Sequence, residues 1–136
     1  MNLENYIKKG FVAMKGLAQF RKFDWENFSK GKTFQVTAVS NWTDHDTGKH
    51  LGRRVESVIT MDTTSYEFRR GEQFTNLYEK ITFKVEGDAE APIGATVIPV
   101  EAVARCYGDY QNQLSVVCKA LRVVPQAPAA AAKGQN

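Results

Sequence analysis

Alternation of apolar and polar residues in the last third of the chain does most to limit the possible folds. The stretch 95–124 divides into two runs rich in β-branched residues, joined by the polar segment 107–113. Glycine, aspartate and asparagine supply the backbone conformations that a chain reversal needs, so this segment is predicted to be a hairpin loop. In a strand, every second side chain points to the same face. The face of the second run expected in the core carries Leu114, Val116 and Cys118.

Three earlier segments have the same period of two and are also predicted to be strands. They cover residues 32–40, 53–61 and 77–85, and polar connections separate them. Together with the final hairpin they make five antiparallel strands. We therefore predict an all-β fold, a five-stranded OB-fold barrel. Barrels of this type bind oligonucleotides on the second and third strands and in loops at the rim.

Composition divides the chain into three parts. Residues 1–30 are basic and aromatic, with apolar residues at helical spacing over 3–20, and are predicted to form an N-terminal helical extension. Residues 31–124 hold the predicted OB-fold domain. Residues 125–136 are rich in proline and alanine and lack core-forming side chains, so they are predicted to be a disordered tail.

The net charge of +3 is small but unevenly distributed. Residues 1–35 carry seven lysines and arginines against three carboxylates, a surplus that suits a polyanionic partner. No apolar run approaches the roughly 20 residues of a membrane span, and no signal peptide is recognisable. A cytoplasmic location without membrane contact is therefore expected. In that compartment Cys106 and Cys118 are expected to be small buried thiols, with a cross-strand disulfide as the alternative.

The outward faces of the predicted strands, and the loops between them, carry aromatic rings beside basic groups. This combination suits single-stranded nucleic acid, because bases stack on the rings while lysines and arginines neutralise phosphates. A single tyrosine of this kind is also typical of an ordinary protein surface, so the hypothesis depends on the joint placement of the whole set. The candidate nucleic-acid-binding residues are Gln35, Thr37, Trp42, Arg54, Tyr78, Lys80, Lys84, Tyr107 and Tyr110.

Other kinds of chemistry find little support in the sequence. Asp44, His45, Asp46 and His50 are metal-ligand types in one loop, but their spacing matches no zinc or calcium pattern. A solvated loop is therefore predicted, and no metal or other cofactor is expected. No phosphate-binding glycine loop, nucleophile elbow or metalloprotease motif occurs. The chain is not expected to be an enzyme.

Three segments of the second half carry a family pattern: NLYEKITFKVEG at 76–87, IGATV at 93–97 and YGDYQNQLSV at 107–116. Together they resemble small OB-fold single-stranded DNA-binding proteins of phages and of conjugative plasmids or transposons. The resemblance implies largely sequence-independent binding of single-stranded DNA during replication or conjugation. The tail departs from the bacterial members, because it lacks their acidic residues and terminal Pro-Phe. The connection after the third strand is also too short for their usual helix, so homo-oligomer formation stays open.

Three other functions fit the same residues, and the least favoured is a barrel that binds a small ligand. An RNA-binding OB module would use the same surface. A non-nucleic-acid adaptor or structural β-barrel would instead use the aromatic side chains at a protein interface. The small net charge favours the adaptor, whereas the outward row of Tyr78, Lys80 and Lys84 favours nucleic acid.

Overall fold

The computed structural model describes residues 13–125, and strands dominate it. The prediction of an all-β fold is confirmed. The helices within the described residues are a 3₁₀ turn (Leu17–Phe20) and a short helix α1 (Trp25–Ser29), and neither could span a membrane. Residues 1–12 of the predicted helical extension and 126–136 of the predicted tail lie outside this part of the chain. Within 13–30 the helical structure is limited to these two short elements, so the longer helix predicted over 3–20 is not confirmed. The strands are β1 (Lys32–Thr43), β2 (His50–Asp62), β3 (Lys80–Glu86), β4 (Thr96–Val100), β5 (Val103–Tyr107), β6 (Gln113–Cys118) and β7 (Ala120–Val123).

The seven strands form one sheet in the order β5-β6-β3-β2-β1-β4-β7. All neighbours are antiparallel except β3 and β6, which are parallel. Five strands were predicted, and the count differs because both arms of the final hairpin are interrupted. Glu101, with a φ of 52°, separates β4 from β5, and Lys119 separates β6 from β7. The paired sheet therefore has β5 and β7 at its two ends.

These interruptions do not shift the pairing of the hairpin arms. Val103 pairs with Val117 in the β5–β6 ladder, and Val100 pairs with Ala120 in the β4–β7 ladder. Between these pairs both arms advance by the same number of residues, so neither arm carries an insertion. The N–H of Lys119 donates to the carbonyl of Val100 at 3.0 Å between the two ladders. The arms thus form one bent hairpin that reaches both ends of the sheet.

The inward side chains of the strands form the core, as the alternation in β3 and β6 predicted. Phe83 lies at its centre, and its ring meets those of Phe34 at 5.5 Å and Trp25 at 6.0 Å edge-to-face. Aromatic side chains of α1 therefore cover one side of the core. The buried apolar residues are Phe34, Val36, Val55, Ile59, Ile81, Phe83, Val85, Ala91, Val97, Ala104, Val116 and Cys118.

Bulges in the β1–β2 ladder change the facing of two residues. Val36 pairs with Ser57 and Ala38 with Glu56, so the residue between them on β1 has no partner. The alternation of Phe34 and Val36 predicts Ala38 as the next residue on their face, but beyond this bulge Val39 packs against the core instead. The alternation in 53–61 predicts Met61 on the same face as Val55 and Ile59, but a second shift leaves it 42% exposed. An extra residue reverses the facing of a strand, and the alternation in the sequence does not reveal where it occurs.

The two cysteines have different environments, so the expectation of two buried thiols is wrong for one of them. Cys118 is buried and Cys106 is exposed, and both are free. Cys106 pairs with Leu114 near the hairpin loop, one residue before the end of β5. Burial raises the pKa of the Cys118 thiol to about 11. Cys106 is thus the accessible thiol of the described chain.

A buried ion pair joins the start of β1 to the end of β2. Lys32 Nζ lies 3.4 Å from Asp62 Oδ1, and both side chains are inaccessible to solvent. Lys32 also donates to the carbonyl of Phe28 at 2.8 Å, and its ammonium lies 4.1 Å from the centre of that ring. Asp62 accepts from the hydroxyl of Tyr66 at 2.7 Å and from the N–H of Asn76 at 2.9 Å. The network anchors α1 and the β2–β3 connection to the sheet.

Candidate nucleic-acid interface

A groove of about 1390 Å³ runs over the outward side of β3. Five parts of the chain line it: β2 and β3, the β5–β6 hairpin, the end of the β2–β3 connection, the segment 18–23 before α1, and Phe28 of α1. The sheet order brings them together, because β3 lies between β2 and β6 and β6 carries the hairpin. The groove is therefore built from segments distant in sequence.

Strand pairing aligns the side chains of the groove floor. Arg54 of β2 pairs with Lys84 of β3, and Thr82 of β3 pairs with Ser115 of β6. Ser115 in turn pairs with Arg105 of β5. Directly opposed residues on neighbouring strands share a face of the sheet. The floor thus presents adjacent cations beside two hydroxyl groups.

Positive charge is concentrated in this groove. Among its lining residues within 13–125, Glu79 is the one carboxylate. The chain as a whole has a net charge of only +3, so folding collects cations that the sequence distributes widely. Their concentration weakens the charge argument for an adaptor. The cationic lining residues are Arg21, Lys22, Arg54, Lys80, Lys84 and Arg105.

Tyr78 stands at one end of the groove in a strained backbone conformation. Its φ of 72° lies in the left-handed region, which bulky residues rarely adopt, and the residue is 72% exposed. The N–H of Tyr78 donates to the carbonyl of Ile59 at 2.7 Å, and the N–H of Ile59 donates to the carbonyl of Glu79 at 2.9 Å. Tyr78 and Glu79 thus both lie opposite Ile59, and this two-to-one pairing is a β-bulge. The first position of such a bulge usually holds glycine.

Because of this bulge, the third strand begins later than the sequence predicted. The alternation placed Tyr78 inside a strand 77–85, whereas β3 begins at Lys80. Tyr78 therefore does not stand in the row formed by Lys80, Thr82 and Lys84. Its exposure agrees with the expectation that the ring lies outside the core, and the residue still lines the groove.

Two further tyrosines belong to the β5–β6 hairpin. Tyr107 ends β5, is 49% exposed and lines the groove. Tyr110 lies in the hairpin loop, is 86% exposed and is not part of the lining. Gln111 closes this loop through its backbone N–H and its side-chain amide, which donate to the carbonyl of Gly108 at 3.1 and 2.8 Å. Neither tyrosine contributes to the core.

The remaining candidates lie outside the groove lining. Gln35 donates to the carbonyl of Gly94 at 2.9 Å, and Thr37, the unpaired residue of the first β1 bulge, donates to the carbonyl of Glu56 at 3.2 Å. Trp42 is half-buried on β1, and Lys84 Nζ lies 5.9 Å from the centre of its ring. The candidates that do line the groove are Arg54, Tyr78, Lys80, Lys84 and Tyr107.

Several lining residues were missed by the sequence analysis. Arg105 alternates with the buried Ala104, so the pattern of β5 could have placed it on the outward face. Arg21 and Lys22 belong to the basic first part of the chain, but no local pattern indicates that they reach β3. Gln113 was assigned to the hairpin loop, whereas it begins β6. Ser115 was assigned to the outward face of the last strand without being linked to binding.

The β1–β2 loop does not gather metal ligands. The N–H groups of Thr47 and Asp46 donate to Asp44 Oδ1 at 3.0 and 2.8 Å, and these bonds lower the pKa of that carboxyl. His50 Nε2 instead lies 2.9 Å from Asp88 Oδ1. Within residues 13–125, no three histidine, cysteine or acidic side chains are grouped to hold a metal ion.

Comparison with known proteins does not identify the chain. No protein-family model, curated protein or solved structure matches it. The resemblance carried by segments 76–87, 93–97 and 107–116 therefore stays a prediction. The function has to be argued from the groove and the residues around it.

Proposed function

We propose that the chain binds single-stranded DNA in the groove over β3, largely independently of base sequence and without catalysis. The observation that carries this proposal is the presence of six cations and two exposed tyrosines in one groove. Cations neutralise phosphates, and each base stacked on an aromatic ring contributes about 1–3 kcal/mol to binding. The sequence resemblance favours phage or mobile-element DNA metabolism as the setting.

The fold proposed to support this function is an OB-type barrel. If β4 with β5 counts as one bent strand, and β6 with β7 as another, the chain has five strands that each have two neighbours. The unshifted register of the bent hairpin and the parallel β3–β6 pairing support that count. A closed barrel requires this pattern of neighbours. In OB barrels the second and third strands bind oligonucleotides, and the groove overlies those strands here.

Titration with three ligands tests the proposal. A dT oligomer, its RNA counterpart and a DNA duplex are compared in a gel-shift assay, and the dT oligomer is expected to bind most tightly. Equal or tighter binding of the RNA would favour the RNA-binding alternative. Absence of binding to all three would overturn the proposal and favour the adaptor.

Cys106 provides a probe of where the strand binds, because it is exposed and lies in β5 between the groove-lining residues Arg105 and Tyr107. A saturating dT oligomer is expected to slow its alkylation, as followed by mass spectrometry of the peptide. Cys118 is the internal control, since burial should keep it unreactive with or without DNA. Alkylation of Cys106 at an unchanged rate on saturated protein would place the strand elsewhere.

Salt dependence reports the number of phosphate contacts. Each contact contributes about 0.7 to the slope of log affinity against log salt for single strands. From the cations that line the groove we expect a slope of about 1.4–3.5, equivalent to roughly two to five contacts. Lys80→Ala/Lys84→Ala should lower that slope, whereas Lys49→Ala/Arg122→Ala, which removes the same charge outside the groove, should leave it unchanged. A salt-independent affinity would contradict the electrostatic part of the mechanism.

Tyr78→Gly is expected to separate binding from stability. Glycine adopts a positive φ without steric cost, so unfolding free energy should stay level or rise by about 1 kcal/mol. Loss of the ring should weaken dT binding by about 1–3 kcal/mol. Tyr78→Phe keeps the ring and should retain affinity. Destabilisation of Tyr78→Gly with unchanged affinity would show that the ring supports the fold rather than a ligand.

A further inference from the structure

We infer that the segment 18–23, which we call the N-terminal strap, is a wall of the binding site, and that its Arg21 and Lys22 bind phosphates of the enclosed strand. This inference rests on the proposed function and extends it to a segment outside the seven-stranded sheet. The strap lines the same groove as the cations of β2 and β3, although Lys22 precedes the first strand by ten residues.

The strap is anchored to the domain at its carboxyl end. The ring of Phe23 lies 5.2 Å from that of Phe28 in α1, in an edge-to-face contact. Trp25, at the start of α1, stacks on Phe34 of the core at 5.6 Å. The side chain of Asp24 caps α1 by accepting from the N–H of Asn27 at 3.2 Å. The anchor is therefore continuous with the core, and it holds the strap beside the groove.

The strap itself contributes little to the core. Its 3₁₀ turn has no buried residue, and Arg21 and Lys22 are exposed. Within residues 13–125, neither of these side chains makes a hydrogen bond or an ion pair. Folding energetics therefore give no reason for the two cations to stand beside the groove.

The charge of the groove gives a reason for the position of Arg21 and Lys22, which the stability of the fold does not. Among the groove-lining residues of 13–125, Arg21 and Lys22 stand with four further cations and a single carboxylate, Glu79. Like charges collected in one groove repel one another and raise the local concentration of anions. A phosphate backbone in the groove would turn this repulsion into attraction, and the strap cations would then meet it from a different side than Lys80 and Lys84.

Enclosure also discriminates between ligands. The strap and the β5–β6 hairpin line the same groove as Tyr78 and Tyr107, so a ligand that lies along the groove would meet both segments. A single strand can expose its bases to these rings while its phosphates meet the walls. A duplex keeps its bases stacked in its interior. Removing the strap cations should therefore weaken single-strand binding more than duplex binding.

Two charge-matched double variants of the full chain test the inference. Arg21→Ala/Lys22→Ala should lower the salt slope for a dT oligomer by about 1.4, and should weaken binding about 25-fold at 0.1 M salt, at about 0.7 per contact. Arg69→Ala/Arg70→Ala removes two exposed cations outside the groove lining and should leave the slope unchanged. The swap Arg21→Lys/Lys22→Arg keeps both charges and should retain the parent slope.

The outcomes separate the two proposals. If the parent protein binds dT and the Arg21→Ala/Lys22→Ala variant has the same slope, the strap is not part of the site and the proposed function still holds. Equal losses in both alanine doubles would show a general charge effect and would also overturn the inference. If the parent binds no single strand, the proposed function fails, and the inference fails with it. Thermal melting of each variant should match the parent, because the strap cations are exposed.

Discussion

Phe83→Ala is expected to lower the free energy of unfolding by about 3–5 kcal/mol, as the truncation of a large core side chain does. Phe83 is completely buried, and its ring meets Phe34 and Trp25. Removal of the ring leaves a cavity. This cavity should remain largely open, because β3 is held between β2 and β6 and cannot move inward to fill it. Urea denaturation followed by tryptophan fluorescence measures the change.

The neighbouring residue on the same strand provides the control. Thr82 points to the outward face, and Thr82→Ala should change stability by less than about 1 kcal/mol, as is usual for surface positions. If instead Thr82→Ala were the destabilising change and Phe83→Ala were tolerated, β3 would face the other way. The floor of the proposed groove would then be wrong as well.

Asp62→Asn is expected to have an effect of similar size at neutral pH. The substitution leaves the ammonium of Lys32 buried without its counter-charge, and breaking a buried pair in this way typically costs about 3–5 kcal/mol. Asparagine keeps one oxygen that can accept from Tyr66, but its amide NH2 replaces the oxygen that accepts from the N–H of Thr64, so the loss includes that hydrogen bond as well as the charge. In the double variant Lys32→Met/Asp62→Leu both charges are gone, and part of the stability should return.

The pH dependence gives a second test of the same pair. Burial by itself raises the pKa of Asp62, but hydrogen bonds from Tyr66, Asn76 and Thr64 outweigh it and hold the pKa well below its usual range. A lowered folded-state pKa stabilises the protein above the unfolded-state pKa of about 3.9, and this contribution is lost as pH falls towards the folded-state value. The stability difference between the parent and Asp62→Asn should therefore shrink between about pH 5 and pH 2. A difference that does not vary with pH would show that the ionised carboxylate adds nothing.

The sequence by itself determined the all-β class and the inward faces of several strands. The alternation in 77–85 grouped Ile81, Phe83 and Val85, which are buried, with Glu79, which is exposed. That in the last run grouped Val116 and Cys118, which are buried, with Leu114, which is partly buried. These predictions succeeded for the apolar residues because a period of two is a local property of an extended chain, and hydrophobic burial selects one of its two faces. The same pattern placed Lys80 and Lys84 in what is now the groove.

Only the tertiary structure decided which distant segments meet and where the strands are interrupted. The bulges that turn Val39 inward and hold Tyr78 at a positive φ depend on hydrogen bonds to β2, which the alternation within one strand does not encode. Arg21 and Lys22 reach the groove because Phe23 packs on α1. Non-local strand pairing and packing set these positions, whereas local periodicity reports only which side of a strand is apolar.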